Sequence, residues 1–500
     1  MSQNPVTKLK LPKKGFAGRR EAQKNDDKAK PTTLVTAEDY SEEGSELEEN
    51  GDRWYGSDLS KALRFYQKAF EHYQQAIELG NDAEAYYNCT RLLFHVYSNY
   101  TKPGYLDMIK TDGISSVLVG LENIVKAYQQ AASLPNPSTD LLYNMALVYT
   151  EVVEADDNSQ NVWDAGVQAR DLFSQVLGRQ SNEFDQFLSE LSEVSTSGNV
   201  GVTGSGNTNS SSSQTAEMES VSVVQPTDIY DTVLAGFKLV QAMAESGVTL
   251  DNDWAQFVSQ LDAAANNLVN NFSETSSSPN SMVQNLTQSQ VEELSLSKLA
   301  IEAVSGDSAH CIELWNNDSR APFTAERYMV ANDCLNTVIE REGIADPQLQ
   351  WKVVSQQAAW LKQAQTLLSE RHSTITKTSS SAEELGSLLA QLAECIIARA
   401  DAEIQRSQIN CDAANNNREI LVRNAKTLLK SAMSYAKTSG GLRERASEKL
   451  ARQAQLAEAV ARMGLLEGKS ASEMDQIMGV GKWQRVVQEI LVLGIYPNIQ

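Results

Sequence analysis

The sequence predicts an all-α protein, and three observations carry that reading. Gly and Pro are scarce, 27 and 11 in 500 residues, while Ala, Leu, Gln, Glu and Ser abound, a balance that favours helix over strand. Amphipathic stretches of helical length recur, such as ILVRNAKTLLKSAMSYAK (residues 420–437) and RERASEKLARQAQLAEAVARMGLL (443–466), with apolar or small residues every three or four positions. No stretch alternates as a half-buried strand does.

At 500 residues the chain exceeds one ordinary core, so two or three folding units or an open-ended repeat are expected. An apolar content of 41% suffices for burial. No charged-then-apolar leader opens the sequence, and no uninterrupted apolar run approaches the ~18 residues of a membrane span. Five scattered cysteines (Cys89, Cys311, Cys334, Cys395, Cys411) show no paired spacing and read as buried thiols of a reducing compartment.

Taken in order, residues 1–44 form a basic then acidic arm expected to be disordered. Its first 30 residues hold nine Lys or Arg against Glu21, Asp26 and Asp27, leaving about −28 of the net −22 on the remainder. KLKLPKK followed by GRR reads either as a nuclear-import signal or as a solvated tail touching its acidic neighbour, AEDYSEEGSELEEN. Residues 45–192 are densely helical in pattern. Residues 193–224, Ser/Gly/Asn-rich, read as a linker or long disordered loop. A helical hairpin is expected at 225–272, a loop at 273–285 and a helical half at 286–469, with a further Ser-rich break at 373–381. Ser381-Ala-Glu-Glu384 has the form of a capping box opening a helix. A helical cap is expected at 470–500, where Ser472 caps a short helix, Gly479 ends it, and Trp483, Val486, Ile490 and Leu493 seal the preceding helices.

Within 45–192 a small–large ladder repeats. Ala62, Tyr66, Ala69, Tyr73 and Ala76 recur as Ile124-x3-Tyr128-x2-Ala131 and Ala169-x3-Phe173-x2-Val176, with a fainter copy at Ala425, Leu429 and Ala432. Between them lie AEAYYNCTRLLF (83–94) and TDLLYNMALVY (139–149), each with a Tyr-Asn pair. This pairing resembles the tetratricopeptide repeat, a helix-turn-helix unit that stacks because one unit cannot bury its apolar face alone. The resemblance covers residues 51–177 as three repeats and departs in one extra heptad, FEHYQQA, which lengthens the second helix by about two turns. It implies a right-handed α-solenoid whose inner face is formed by the Tyr-Asn helices, with Tyr86, Asn88, Arg91 and Asn144 as the candidate partner-binding residues. Members that clamp the C-terminal carboxylate of cytosolic chaperones use Lys, Arg and Asn there. Here Asn88 matches, but Asp52 and Glu48 stand where Asn and Lys would help, and no Lys-x3-Arg pair opens LLYNMALVY. A carboxylate ligand would meet repulsion, so that job is rejected.

The residues offer little catalytic chemistry. His72 and His95 lie among Tyr and Phe inside expected helices and read as structural; His310-Cys311 is adjacent, the wrong spacing for two ligands on one metal. GLLEGKS (464–470) has its glycines one residue too close for a phosphate loop and follows a helix. ADDNSQNVWD (155–164) lacks the turn glycine and closing Glu of a calcium loop. No catalytic, metal or cofactor site is expected.

The expected function is therefore a non-enzymatic scaffold or adaptor for other proteins, resident in the cytoplasm and, through its arm, also in the nucleus. An escort for a basic client such as a ribosomal protein is the sharper alternative, since an acidic body suits basic partners and repels phosphate backbones. The remaining alternative, a nucleic-acid regulator using the helix-turn-helix-like outline at 470–500, is opposed by Asp475 and Glu489, which balance Lys482 and Arg485.

Overall fold

The structure, a computed structural model, describes residues 34–80, 82–100, 111, 113–156, 158–197, 223–275, 282–378 and 384–497. Most of the basic arm, most of the 193–224 linker, the middle of the 273–285 loop and the Ser381 end of the expected capping box lie outside the described residues. Among those described there are seventeen helices and no strand, save one isolated bridge between Ser273 and Leu286.

The first helix, α1 (Ala37–Tyr55), corrects the expectation of an acidic tail disordered to residue 44. Thr36 caps it reciprocally with Asp39: the Thr36 hydroxyl accepts from the Asp39 amide at 3.1 Å, and Asp39 Oδ2 accepts from the Thr36 amide at 2.8 Å. Its buried stripe is Ser41, Gly44, Glu48 and Gly51, which holds no apolar side chain. The stripe lies against α2 (Leu59–Gly80), and the glycines explain how. A Cβ on Gly44 would come within 2.7 Å of the Tyr73 ring, and one on Gly51 would come closer still to Tyr66. Glycines seven apart therefore make two sockets for tyrosines seven apart. The extra heptad FEHYQQA is part of α2 and supplies Tyr73, so the longer helix doubles the contact.

Next come α3 (Ala83–Tyr100), α4 (Leu121–Ala132), α5 (Thr139–Ala155) and α6 (Ser159–Ser197), the last continuing five residues into the stretch expected as linker. The hairpin of α7 (Pro226–Glu245) and α8 (Asn252–Phe272) precedes α9 (Gln288–Ser305), α10 (Ser308–Asn317) and α11 (Ala325–Glu342). Then come α12 (Pro347–Thr378), helical through Ser373 where a break was expected, α13 (Leu385–Gln408), α14 (Asp412–Lys437) and α15 (Ala446–Leu466). Two short helices finish the described chain, α16 (Ala471–Met478) and α17 (Gln484–Leu491).

Consecutive helices pack on one another, and α3, α5, α7, α9 and α11 also touch in succession at one remove, as do α13 and α15. Every ladder residue sits at these contacts: Ala62, Tyr66, Ala69, Tyr128, Ala169, Phe173, Ala425, Leu429 and Ala432 are all fully buried. Small residues let the helix axes approach, and the rings fill the space beside them. One core runs through α1–α9, a second through α11–α17, and a third joins them around α9–α12.

The packing order then returns on itself. The Ala446 amide at the start of α15 donates to the Gly56 carbonyl in the α1–α2 turn at 2.9 Å, and Leu450 of α15 belongs to the N-terminal core. The first hairpin and the fifteenth helix are thus in direct contact.

Candidate partner-binding face

Of the four residues expected at the inner face, the structure places three inside. Arg91 is buried on α3 and donates from Nη2 to Glu48 Oε2 at 2.5 Å; Glu48 also accepts the Tyr73 hydroxyl at 3.0 Å. Burial alone would pull the Arg91 guanidinium down, but the adjoining Glu48 carboxylate holds it above its ordinary range. Asn144 is fully buried on α5 and donates to the Tyr87 hydroxyl at 3.4 Å. Asn88 is 6% exposed. Tyr86 alone stands half-buried at the surface, its hydroxyl accepting from Gln130 Nε2 at 3.2 Å. The expectation that Asn88, Arg91 and Asn144 present themselves to a partner is corrected: all three are buried, Arg91 tying α3 to α1 and Asn144 tying α5 to α3. Glu48, which seemed only a repulsive substitute for Lys, is the internal partner of Arg91.

About two turns further along the same helices a different set gathers. Tyr97 of α3 lies in the field of Glu151 and Glu154 of α5; its phenol is raised by burial first and by those carboxylates second. Glu154 in turn feels Glu151 and Glu245, the last residue of α7, with Lys238 of α7 opposing them. Burial and these carboxylates push the Glu154 carboxyl up to about 7. Yet Glu154 is exposed to water, as is Glu245.

Glu245 reaches further, to Asp333 on α11. Asp333 is 8% exposed; its Oδ1 accepts from Asn332 Nδ2 at 3.2 Å and its Oδ2 has no donor. Burial, with Glu245 adding to it, pushes this carboxyl up to about 7 against the pull of the Asn332 amide. Asp333 and Glu394 of α13 both act on the thiol of Cys395. Glu151, Glu154 and Glu245 thus gather carboxylates of α5 and α7 in one another's field, a grouping that no local motif announces.

Other chemistry is muted. The cysteines are all buried, and burial pushes Cys89, Cys311 and Cys395 up to about 12, so they are poor nucleophiles. Among the described residues no three His, Cys, Asp or Glu groups are placed to hold a metal, and no helix is long and apolar enough to cross a membrane. His95 packs edge-on to Tyr66 at 5.2 Å between ring centroids. An open groove of about 400 Å³ between α12 and α13 is lined by Lys362, Gln365, Ser369, Glu370 and Arg399.

At the C-terminus the short helices are fastened down. Ser470, two residues before the expected Ser472, caps α16 reciprocally with Glu473. Trp483 donates from Nε1 to Asp475 Oδ1 at 2.7 Å, and Tyr496 donates to Asp401 Oδ1, which Arg462 Nε also engages at 2.9 Å. The sealing stripe is Trp483, Val487 and Ile490; Val486 is half-buried and Leu493 is exposed, because one helical face takes positions four and seven after Trp483.

An all-helical protein with carboxylates gathered on neighbouring helices is what fold and site define. The profile of a family described as the YNL193W C-terminal domain matches residues 317–488, from the end of α10 into α17. The chain is similar to the uncharacterized protein YNL193W of Saccharomyces cerevisiae, 31% identical over 149 residues, which cover 27% of each chain. It is also similar to UPF0656 protein C926.02 of Schizosaccharomyces pombe, 33% identical over 128 residues, 25% of this chain and 26% of that one. The chain thus spans about a quarter of the length of the curated relatives it matches.

Proposed function

We propose that this chain is a non-enzymatic adaptor, a right-handed stack of tetratricopeptide-like helix pairs that holds a partner protein along the acidic surface of α5 and α7. Supporting the stack are the repeated small–large ladder and the succession of odd-numbered helices in contact from α3 to α11. Supporting the adaptor role is one observation above all. Glu154 is exposed to water, and its carboxyl is raised to about 7 by burial and by the neighbouring Glu151 and Glu245, so like charges gather at this surface. A surface that crowds like charges is costly to hold together and is relieved by a complementary ligand.

The test is affinity purification with mass spectrometry on the full chain and on the triple variant Glu151→Gln, Glu154→Gln, Glu245→Gln. Partners captured by the native chain and lost by the variant support the reading. An unchanged partner set places the binding surface elsewhere, and a native chain that captures nothing reproducibly removes the adaptor role.

A further inference from the structure

The open groove of about 400 Å³ between α12 and α13 holds a cation that the rest of the chain would have neutralised. Among the described residues, the other buried and half-buried arginines are met in one of two ways. Arg91, Arg170, Arg406, Arg452 and Arg462 each pair with a carboxylate, while Arg179 and Arg327 donate to backbone carbonyls. Arg399 has neither. It is half-buried and donates from Nη1 to the side-chain oxygen of Gln365, a neutral acceptor. A guanidinium drawn out of water without an opposing charge is costly. Burial accordingly pulls Arg399 below its ordinary range, with Cys395 and Glu403 opposing only in part. Lys362 lines the same groove, is exposed, and pairs with no carboxylate among the described residues. Ser369, half-buried beside them, has a hydroxyl with no partner among the described residues.

Further along α12 the sign changes. Glu370 stands about two turns from Lys362, roughly 12 Å by helical rise, and no described cation pairs with it. The lining runs on to Ser373, so the groove follows about 16 Å of one helix face. That length exceeds a compact anion and matches about five residues of extended chain.

We propose that this groove receives an extended segment of a partner protein carrying a phosphorylated serine or threonine. Arg399, Lys362 and the Ser369 hydroxyl hold the phosphate, and Glu370 holds a Lys or Arg three or four residues away. A phosphate, with a charge of about −1.5 to −2 and three acceptor oxygens, answers two cations and a hydroxyl together. A carboxylate would fill the Arg399 fork and leave Lys362 unmet. This surface is separate from the acidic one of α5 and α7, so either reading can fail alone.

The experiment incubates the full-length chain with an array of peptides about 12 residues long, each with a central phosphoserine and otherwise varied, beside unphosphorylated copies. Calorimetry with inorganic phosphate runs in parallel. The expected result is binding to phosphorylated spots at least tenfold above their plain copies, with Lys or Arg enriched three or four positions from the phosphate. Arg399→Gln is expected to weaken binding at least tenfold and Lys362→Gln, at an exposed position, about fivefold, with the helical circular-dichroism signal unchanged. Glu370→Gln is expected to keep the phosphate dependence and lose the Lys/Arg enrichment. Equal binding to phosphorylated and plain peptides overturns the proposal, as does native binding by the double variant Lys362→Gln, Arg399→Gln. Binding of inorganic phosphate without binding of any phosphopeptide overturns it too, since the groove then serves a small anion.

Discussion

Glu48 of α1 and Arg91 of α3 face each other at 2.5 Å with each side chain only 4% exposed, so the acidic first helix is clasped by a charge buried two helices away. Two ions removed from water are costly alone and tolerable together, and the Tyr73 hydroxyl satisfies a further lone pair of Glu48. Replacing Glu48 by Ala leaves Arg91 buried and uncompensated, with an expected loss of about 3–5 kcal/mol in urea unfolding. The double replacement Glu48→Leu, Arg91→Met removes both charges and is expected to recover most of that loss. A double variant as unstable as the single would show that the pair is not what binds α1.

The glycine sockets make an opposite prediction to ordinary helix propensity. Gly→Ala inside a helix normally stabilises by up to ~1 kcal/mol. At Gly51 the added methyl would drive into the Tyr66 ring, so Gly51→Ala is expected to destabilise by about 1–3 kcal/mol. Gly178, on α6, has open space around its would-be Cβ, and Gly178→Ala is the matched control expected to raise the melting temperature. Thermal unfolding of the two variants side by side checks both signs.

Asp333 ties stability to pH. Its carboxyl titrates at about 7 in the folded chain against 3.8 when unfolded, so the folded state holds the additional proton between those values. Stability from this group is therefore highest below 3.8, falls as pH rises, and levels off above about 7. Asp333→Asn abolishes the titration and is expected to stabilise by about 1–3 kcal/mol at pH 8 with little effect at pH 4. Denaturant midpoints at the two pH values decide it; an equal shift at both would refute the linkage.

A further prediction concerns the contact between the α1–α2 turn and α15. Ala446 is the first residue of α15, and proline is well tolerated at that position because the amide has no intrahelical acceptor. Arg445 before it is already extended, at φ −72° and ψ 150°, as a residue preceding proline must be. Ala446→Pro thus deletes only the hydrogen bond to Gly56, with an expected loss of about 0.5–1.5 kcal/mol. Faster amide exchange around residues 54–58, with α12 and α13 unaltered, is the expected signature.

The ladder was legible because its information is local. Ala62, Tyr66, Ala69, Tyr73 and Ala76 recur at helical spacing, and each is at most 1% exposed. The first helix escaped notice for an equally physical reason. Its buried stripe is serine, glutamate and two glycines, residues that read as solvent or turn until the tyrosines of α2 are set against them. Arg91 and Asn144 stand out through the resemblance to the tetratricopeptide inner face, but their contacts point inward, since Glu48 and Tyr87 come from distant positions. The acidic face was illegible in principle. Glu154, Glu245 and Asp333 are ordinary acids in an acidic chain until three helices bring them together.

Leu450 sits in the hydrophobic interior built by α1–α9, although it falls within the stretch, residues 317–488, that matches the yeast C-terminal domain. A fragment cut at that boundary would carry Leu450 out into water and strand the amide of Ala446 without its acceptor. The unit that evolution copies and the unit that physics makes cooperative therefore have different edges, and unfolding of this chain is expected to spread from either terminus to the other.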